Sequence, residues 1–279
     1  MAIKDILLQL TSYPDRTPVK SIMAAVEIAD LLDAKLTAAV CKIDVPDLTN
    51  YFSRQLTDIA AAIAAERHKS GTVAGAMIEE FTAALEGTGR SADTVVLKCY
   101  ASLQSEGLIG EARLHDLTIM PMAKDVATQS VSQDLVFGSG RPVLLLPDEV
   151  AGPMNFETIV VAWDNSRVAT RTVADAVPFL QNATSVRLLT VTGEKPLEED
   201  ASRGIVRNLK LHGITATVDS EPMIGFEGAG AAILRYCKRT DAGLLVMGAY
   251  GHSRIRDFIV GGATRTMLAG VPLPILLAH

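Results

Sequence analysis

The chain of 279 residues is long enough for two domains of ordinary size, although one large α/β domain would also fit. Hydrophobic residues make up 48% and charged residues 21% of it, which excludes a disordered chain and a coiled coil. The net charge of −6, from 26 basic and 32 acidic side chains, argues against generic nucleic-acid binding, which needs a broad positive surface.

The composition also bears on location and on metal binding. No stretch approaches the roughly 20 apolar residues of a membrane span, and residues 1–5 lead straight into a strand-like run, so we expect neither a membrane span nor a signal peptide. Cys41, Cys99 and Cys237 are odd in number and far apart, which is typical of buried thiols in a reducing compartment. The histidines stand at no ligand spacing with them, so no metal site from protein side chains is expected. We therefore expect a cytoplasmic protein.

In the first half of the chain, short β-branched runs alternate with longer helical segments, the pattern of βαβ units around a parallel sheet. The predicted strands are Ile6–Leu10, Leu36–Val40, Thr94–Lys98, Leu117–Met120 and Val143–Leu146. The predicted helices are Pro18–Leu32, a long region from Leu48 to Leu85 in which a break near Ser70–Thr72 is one option, and Leu103–Ala112.

The second half repeats this plan. Its predicted strands are Thr158–Trp163, Ser185–Val191, Thr215–Val218, Leu244–Met247 and Pro274–Leu277, and its helices are Ser166–Leu180, Ala201–Leu211, Gly228–Arg239 and Gly262–Ala269. The offset between the halves falls from about 152 residues at the first strand to about 131 at the last, so the first copy carries an insertion, which we place in its long second helix. The chain is thus expected to hold two tandem domains, residues 1–147 and 156–279, joined by the proline- and glycine-containing linker 147–155.

Glycines follow the fourth strand of the second copy. Gly248 and Gly251 come directly after this strand, and nine residues later Gly261 and Gly262 open an apolar helix. Because glycine lets the backbone approach a ligand and a helix start attracts anions, these residues could cradle a phosphate. A tight strand exit and a helix entrance explain the same glycines equally well.

Polar residues nearby are less specific. Asp164, after the first strand of the second copy, could accept hydrogen bonds from a ribose or a base, but taken alone this position favours capping of the next helix. Arg254 and Arg256 could neutralise phosphate charge, although loop arginines are usually solvated. His252 has no identifiable orienting partner, so it is a weak candidate for a general base.

Together these features resemble the universal stress protein family in its tandem-domain form. Its nucleotide-binding members carry two glycines separated by two residues, then nine residues, a further glycine and a Ser or Thr. Gly248, Gly251 and Gly261 match this motif, whereas Gly262 stands where the hydroxyl residue is expected. The resemblance covers essentially the whole chain, and residues 161–166 look like the family's first strand with its adenosine-contacting Asp, here Asp164.

The resemblance implies a fold, a ligand and a site. The fold is α/β, with two tandem doubly wound domains of the Rossmann-like, adenine nucleotide alpha-hydrolase-like type, each with a mainly parallel five-stranded sheet. The ligand is ATP or another adenine nucleotide in the second copy, and a magnesium ion bridging the phosphates would offset the protein's negative charge. The implied nucleotide-binding residues are Ala162, Trp163, Asp164, Val191, Met247, Gly248, Ala249, Gly251, Gly261, Gly262, Ala263 and Thr264.

The first copy departs from the motif. Leu10, Thr11 and Ser12 stand where Asp is expected, and Pro121 stands where the first motif glycine would follow strand four. Proline removes an N–H and fixes φ, so this loop cannot form the same cradle. We expect a degenerate first domain and one nucleotide for each chain.

Three functions remain open. The family resemblance implies a stress-response sensor or adaptor that binds an adenine nucleotide. An interaction module or a carrier of a small apolar ligand is the second, kept open by Gly262 and by the Ala-rich segment Ala60–Ala65. A nucleotide-dependent transferase or weak ATPase is the third, although no Walker A or pyrophosphatase loop is found, so at most slow ATP hydrolysis and no catalytic residue is expected.

Assembly can also be predicted. Two apolar edge strands left unpaired would invite aggregation, so we expect the last strands of the two halves, Val143–Leu146 and Pro274–Leu277, to lie side by side in a pseudo-two-fold pair. This pairing would make an intramolecular pseudo-dimer, and a homodimer of chains is left open.

Overall fold

Ten short runs of apolar, β-branched residues form the strands of one sheet. The computed structural model describes residues 2–13, 15–43, 57–99, 104–150, 152–193, 199–249 and 262–279. Its strands are β1 (Asp5–Thr11), β2 (Lys35–Ile43), β3 (Asp93–Cys99), β4 (Leu117–Pro121), β5 (Val143–Leu146), β6 (Thr158–Ala162), β7 (Ser185–Thr192), β8 (Ala216–Pro222), β9 (Leu244–Gly248) and β10 (Ile275–Ala278).

Eight helices among the described residues cover this sheet on both faces. They are α1 (Val19–Leu31), α2 (Thr57–Leu85), α3 (Gln104–Ala112), α4 (Val126–Gly138), α5 (Arg167–Asn182), α6 (Glu199–Leu211), α7 (Ala229–Arg239) and α8 (Gly262–Ala269). Successive strand residues face opposite sides, so Ile6 and Leu8 join one hydrophobic cluster with α1, α2 and α5, whereas Leu7 joins another with α3, α4, α7 and α8. Two-sided burial explains why the strands are almost continuously apolar.

The strand order is β3-β2-β1-β4-β5-β10-β9-β6-β7-β8. All pairs within each half are parallel, and β5 meets β10 in an antiparallel pair in which Leu144 faces Leu276. The α/β class with mainly parallel five-stranded halves is confirmed, and so is the pairing of the two last strands. The two halves form one continuous sheet of ten strands, whose edges are β3 and β8.

Matching backbone hydrogen bonds relate the two copies residue by residue. The Met122 N–H donates to the Leu146 carbonyl at 3.0 Å in the first copy, and the Ala249 N–H donates to the Ala278 carbonyl at 2.9 Å in the second. Together with the strand register, this makes Pro121 equivalent to Gly248. The same register of β1 on β4 and of β6 on β9 makes Gln9 equivalent to Ala162 and Thr11 to Asp164.

The helices of the first copy answer one open question and add one element. Helix α2 runs unbroken through residues 70–72, so the optional break does not occur, and with 29 residues against 13 in α6 it carries the expected insertion. Helix α4 was not predicted, because its many Ser, Thr and Gln residues hide the buried positions Ser132, Leu135 and Val136. The Asp125 carboxylate caps its start by accepting the Thr128 N–H at 2.8 Å.

Other boundaries are close to those expected. Strand β8 extends to Pro222, four residues beyond its predicted end, because it stays in register with β7 as far as Thr192. The expected linker has neither helix nor strand in its described part, and its Met154 N–H donates to a Glu27 carboxylate oxygen at 2.6 Å. Within the described residues, every helix is too short or too polar to cross a bilayer.

Candidate functional site

The candidate site of the second copy starts at two neighbouring strand ends. Ala162, the last residue of β6, pairs in register with Met247 of β9, which is followed by Gly248. Asp164 comes two residues after Ala162 and is exposed. The carboxyl ends of parallel strands are where ligands bind in doubly wound sheets, so the predicted residues on β6 and β9 do come together.

Five predicted site residues lie on one face of the sheet. Met247 and Ala249 belong to the hydrophobic cluster beneath α7 and α8, and Ala162, Val191 and Ala263 are partly buried against that cluster. Met247 and Ala249 are buried, so only the partly buried Ala162, Val191 and Ala263 can contact a ligand on this face. Their small or aliphatic side chains are of the type that lines ligand pockets.

Trp163 and Asp164 point in different directions. The Trp163 indole is 5% exposed and belongs to the cluster on the opposite face, so of this residue only the backbone faces the candidate site. The Asp164 carboxylate accepts the Ser166 N–H at 3.0 Å, and Ser166 itself caps α5 by accepting the Ala169 N–H at 3.2 Å. The helix cap is therefore Ser166, not Asp164.

The two described glycines of the motif differ in their surroundings. A Cβ on Gly248 would lie 2.5 Å from the Ala169 nitrogen and 2.7 Å from the Val168 carbonyl carbon, so this glycine lets β9 approach the start of α5. A Cβ on Gly262 would have no atom of the described residues within 4 Å. Gly251 and Gly261, with His252, Arg254 and Arg256, lie outside the described residues.

The start of α8 carries Gly262, Ala263 and Thr264. Thr264 is 3% exposed and so faces the protein interior, whereas Gly262 is exposed. Helix α8 packs closely on α7: a Cβ on Gly230 would lie 2.7 Å from the Thr266 Cβ. The first turn of α8 contains no acidic residue, which leaves its partial positive charge uncompensated from within the helix.

A charged network flanks the site at the end of β8. Glu221, which pairs in register with Val191, is 4% exposed. Its carboxylate accepts hydrogen bonds from Arg239 at 2.7 Å and from Arg235 at 2.9 Å, and these two guanidinium groups lower the pKa of Glu221. The described residues contain no group of three His, Cys, Asp or Glu side chains that could hold a metal ion.

The cysteines fit a structural role where their side chains are described. Cys237 of α7 is 2% exposed, and burial raises the pKa of its thiol to about 12, so it stays protonated and unreactive at neutral pH. Cys41 is half-buried at the end of β2. Cys99 ends β3, and its side chain lies outside the described part of the chain.

The first copy contains a cavity that the sequence analysis missed. A space of about 380 Å³ opens beyond the ends of β1 and β4, and Gln9, Thr11, Met120 and Pro121 line it. The glycine and the acidic residue that mark the site of the second copy are replaced here by Pro121 and Thr11. The missed signal was Gln9, the one polar residue between Ile6 and Leu10.

Comparison with known proteins agrees with this fold. Residues 155–279 match the model of the universal stress protein family. A curated universal stress protein of Synechocystis sp. is 44% identical over 48 residues, a segment that spans 17% of either chain. The solved structure of a universal stress protein from Archaeoglobus fulgidus superposes with a TM-score of 0.73 at 16% identity, over 98% of this chain and 95% of that one. A functionally unknown protein from Pseudomonas aeruginosa superposes with a TM-score of 0.55 at 15% identity, over 99% and 92% of the two chains.

Proposed function

We propose that the chain is a member of the universal stress protein family, whose model matches residues 155–279. Its second copy would bind ATP, an adenine nucleotide, and the protein would act as a sensor or adaptor in a stress response. The observation that carries the proposal is the register of β6 on β9, in which Ala162 lies beside Met247. This register brings Asp164 and Gly248 to the carboxyl ends of two neighbouring strands. These are the residues at which the family resemblance expects the nucleoside and the phosphates.

The surroundings of these residues fit an adenine nucleotide. Ala162 and Val191 offer an apolar surface for the base, and the exposed Asp164 carboxylate can accept hydrogen bonds from ribose hydroxyls. No described atom would crowd a side chain at Gly262, and this start of α8 suits a phosphate. The family resemblance assigns Gly251 and Gly261 to the phosphates as well. A magnesium ion would then be held by phosphate oxygens and water rather than by side chains.

The proposal extends to organisation and location. Residues 1–147 form a domain without the nucleotide motif, and residues 156–279 form the nucleotide-binding domain, so one ATP binds for each chain. The proposed location is the cytoplasm, a reducing compartment that suits the thiols of Cys41 and Cys237. No catalytic side chain is proposed, and ATP hydrolysis is expected to be slow at most.

Isothermal titration with ATP tests the proposal, on protein shown by mass spectrometry to carry no co-purified ligand. We expect a stoichiometry near one, and Gly261→Val should abolish binding because its side chain blocks close approach of the phosphates. Gly262→Ser should retain or tighten binding, since no atom of the described residues lies within 4 Å of the added Cβ and a hydrogen bond to a charged group contributes about 1.5–3 kcal/mol.

Two results would contradict the proposed site. A stoichiometry near two, or binding that survives Asp164→Ala combined with Gly261→Val, means that the nucleotide binds elsewhere. The absence of any ATP binding would favour the alternative function of an interaction module or carrier. It would also identify Gly262, which stands where the family motif has a hydroxyl residue, as the first position to change to Ser.

A further inference from the structure

The cavity of the first copy occupies the position at which the second copy has its candidate nucleotide site. Thr11 lies where Asp164 lies in the other copy, and Pro121 lies where Gly248 lies. Seven residues separate Thr11 from α1, whereas two separate Asp164 from α5. The longer connection gives the first copy a wall that the second copy does not have.

The longer connection is closed at its base. The Thr11 N–H donates to the Thr17 hydroxyl at 2.9 Å, and the Thr17 N–H donates to the Thr11 carbonyl at 2.9 Å. Tyr13 and Arg16 of this connection line the cavity of about 380 Å³. The connection between Thr11 and α1, which these hydrogen bonds hold, therefore forms one wall of the cavity. The volume of the cavity is typical of a small-molecule binding site.

Gln9 is a buried polar group with an unmet hydrogen bond. It is 3% exposed, lines the cavity and replaces the alanine of the second copy, Ala162. Its Nε2 donates to the Thr11 hydroxyl at 2.7 Å, whereas its Oε1 has no hydrogen-bond partner in the described part of the protein. Buried polar groups are nearly always paired, so this amide points to a ligand that completes its hydrogen bonds.

Part of the lining is apolar. Leu108, Met120, Met122 and Val131 all line the cavity, and these side chains come from α3, from the end of β4 and from α4. The other lining residues are mostly polar or charged, such as Arg16. A ligand can use both parts of this lining if its apolar body packs on the four apolar side chains and one uncharged polar head reaches the Gln9 amide.

Charge excludes phosphate from this cavity. The start of α4, where a phosphate would bind, is already occupied by the Asp125 carboxylate, which accepts the Thr128 N–H at 2.8 Å and the Thr128 hydroxyl at 2.7 Å. The two cations of the lining are engaged, Arg16 with Glu80 and Lys124 with Asp148. An anion would therefore meet a net negative lining.

From these observations we propose that the first copy is a second binding site, which takes a small uncharged molecule with a hydroxyl or amide head on an apolar body. The head hydrogen-bonds to the Gln9 amide, and the body packs on Met120 and Met122. A hydroxyl satisfies the amide because it can both donate and accept. The site excludes nucleotides, so the chain would bind two different classes of ligand.

The test uses matched alcohols and carboxylates: 2-phenylethanol and phenylacetate, 2-cyclohexylethanol and cyclohexylacetate, tryptophol and indole-3-acetate. Methionine-methyl NMR of the full chain reports the position of binding, because Met120 and Met122 line this cavity and Met247 lies at the other site. At least one alcohol should shift the Met120 and Met122 signals without moving that of Met247. It should bind about tenfold more tightly than its carboxylate.

Two variants probe the residues that carry the proposal. Gln9→Leu keeps the size of the side chain and should weaken alcohol binding about tenfold, whereas Gln181→Leu, on α5 of the other copy, should not. Asp125→Asn keeps a side chain that can cap α4 while removing its negative charge. It should therefore strengthen carboxylate binding and reduce the difference in affinity between each alcohol and its matched carboxylate. If Gln9→Leu does not fold, the Asp125→Asn comparison still decides.

Three outcomes would overturn the proposal: no alcohol shifts the Met120 and Met122 signals, each carboxylate binds as tightly as its alcohol, or both variants leave all affinities unchanged. Titration of the same labelled chain with ATP keeps the two sites apart. A shift of the Met247 signal concerns the proposed nucleotide site alone. A shift of the Met120 signal by ATP would overturn the exclusion of phosphate from the first copy.

Discussion

Two glycines of one motif serve different purposes in this chain. Gly248 lies against the backbone at the start of α5, so close that a Cβ would overlap the Ala169 nitrogen at 2.5 Å. Gly262 faces open space within the described residues. Packing alone therefore accounts for the glycine at Gly248, whereas no packing constraint in the described structure requires one at Gly262.

Gly248→Ala should lower the free energy of unfolding by about 1–3 kcal/mol, because the added methyl group forces β9 and α5 apart. Gly262→Ala is the matched control and should change it by less than about 0.5 kcal/mol. Urea unfolding followed by circular dichroism measures both. Equal stability of the two variants would mean that β9 does not approach α5 as described.

At the scale of elements, one buried carboxylate joins β8 to α7. Glu221 of β8 accepts hydrogen bonds from Arg239 and Arg235 of α7, and these lower the pKa of Glu221 in the folded protein. When the pH falls, the unfolded chain therefore takes up the proton first. The stabilisation is complete above the ordinary pKa of Glu, about 4.3, and is lost as the pH falls below it towards the lowered value.

We expect the stability of the parent protein to fall more steeply between pH 5 and pH 3.5, bracketing that pKa of about 4.3, than the stability of Glu221→Gln, which has no carboxyl group to protonate at this position. Glu157→Gln, at an exposed position, serves as the control and should follow the parent. Urea unfolding at a series of pH values gives both curves. Parallel curves for parent and Glu221→Gln would contradict the role given to this ion pair.

The sequence predicts elements well where the apolar pattern is strong and poorly where it is weak. Strands such as β4 and β9, buried on both faces, agree with expectation to within one residue. Helix α4 was missed because only a few of its residues are buried among Ser and Thr. The cavity near Gln9 was not predicted, because Gln9 is a single polar residue in an apolar strand and the path of the connection between Thr11 and α1 leaves no periodic signal.

At the scale of the whole molecule, the two copies meet about a pseudo-two-fold axis. Leu144 and Leu276 hold equivalent positions in the copies and face each other across the antiparallel pair of β5 and β10. Residues of both strands enter both hydrophobic clusters: Leu144 and Leu276 lie in one, and Leu145 and Ile275 in the other. The junction between copies therefore has the character of a core, not of a surface contact.

This junction should hold the copies together without the linker. A protease recognition sequence inserted after Gly152 allows the linker to be cut in the folded protein, and we expect the two fragments to elute together in gel filtration at micromolar concentration. The backbone pairing of β5 with β10 and the burial of Leu144 and Leu276 persist after cleavage, so the fragments remain one sheet.

Leu144→Asp in the same cleavable chain tests the source of this cohesion. A carboxylate at a fully buried position without a partner destabilises the junction, so the cut fragments should separate or aggregate. Leu114→Asp is the matched control, because Leu114 is exposed in the connection before β4, and its fragments should stay together. Separation of the parent fragments on cleavage would show that the linker, rather than the paired strands, unites the two copies.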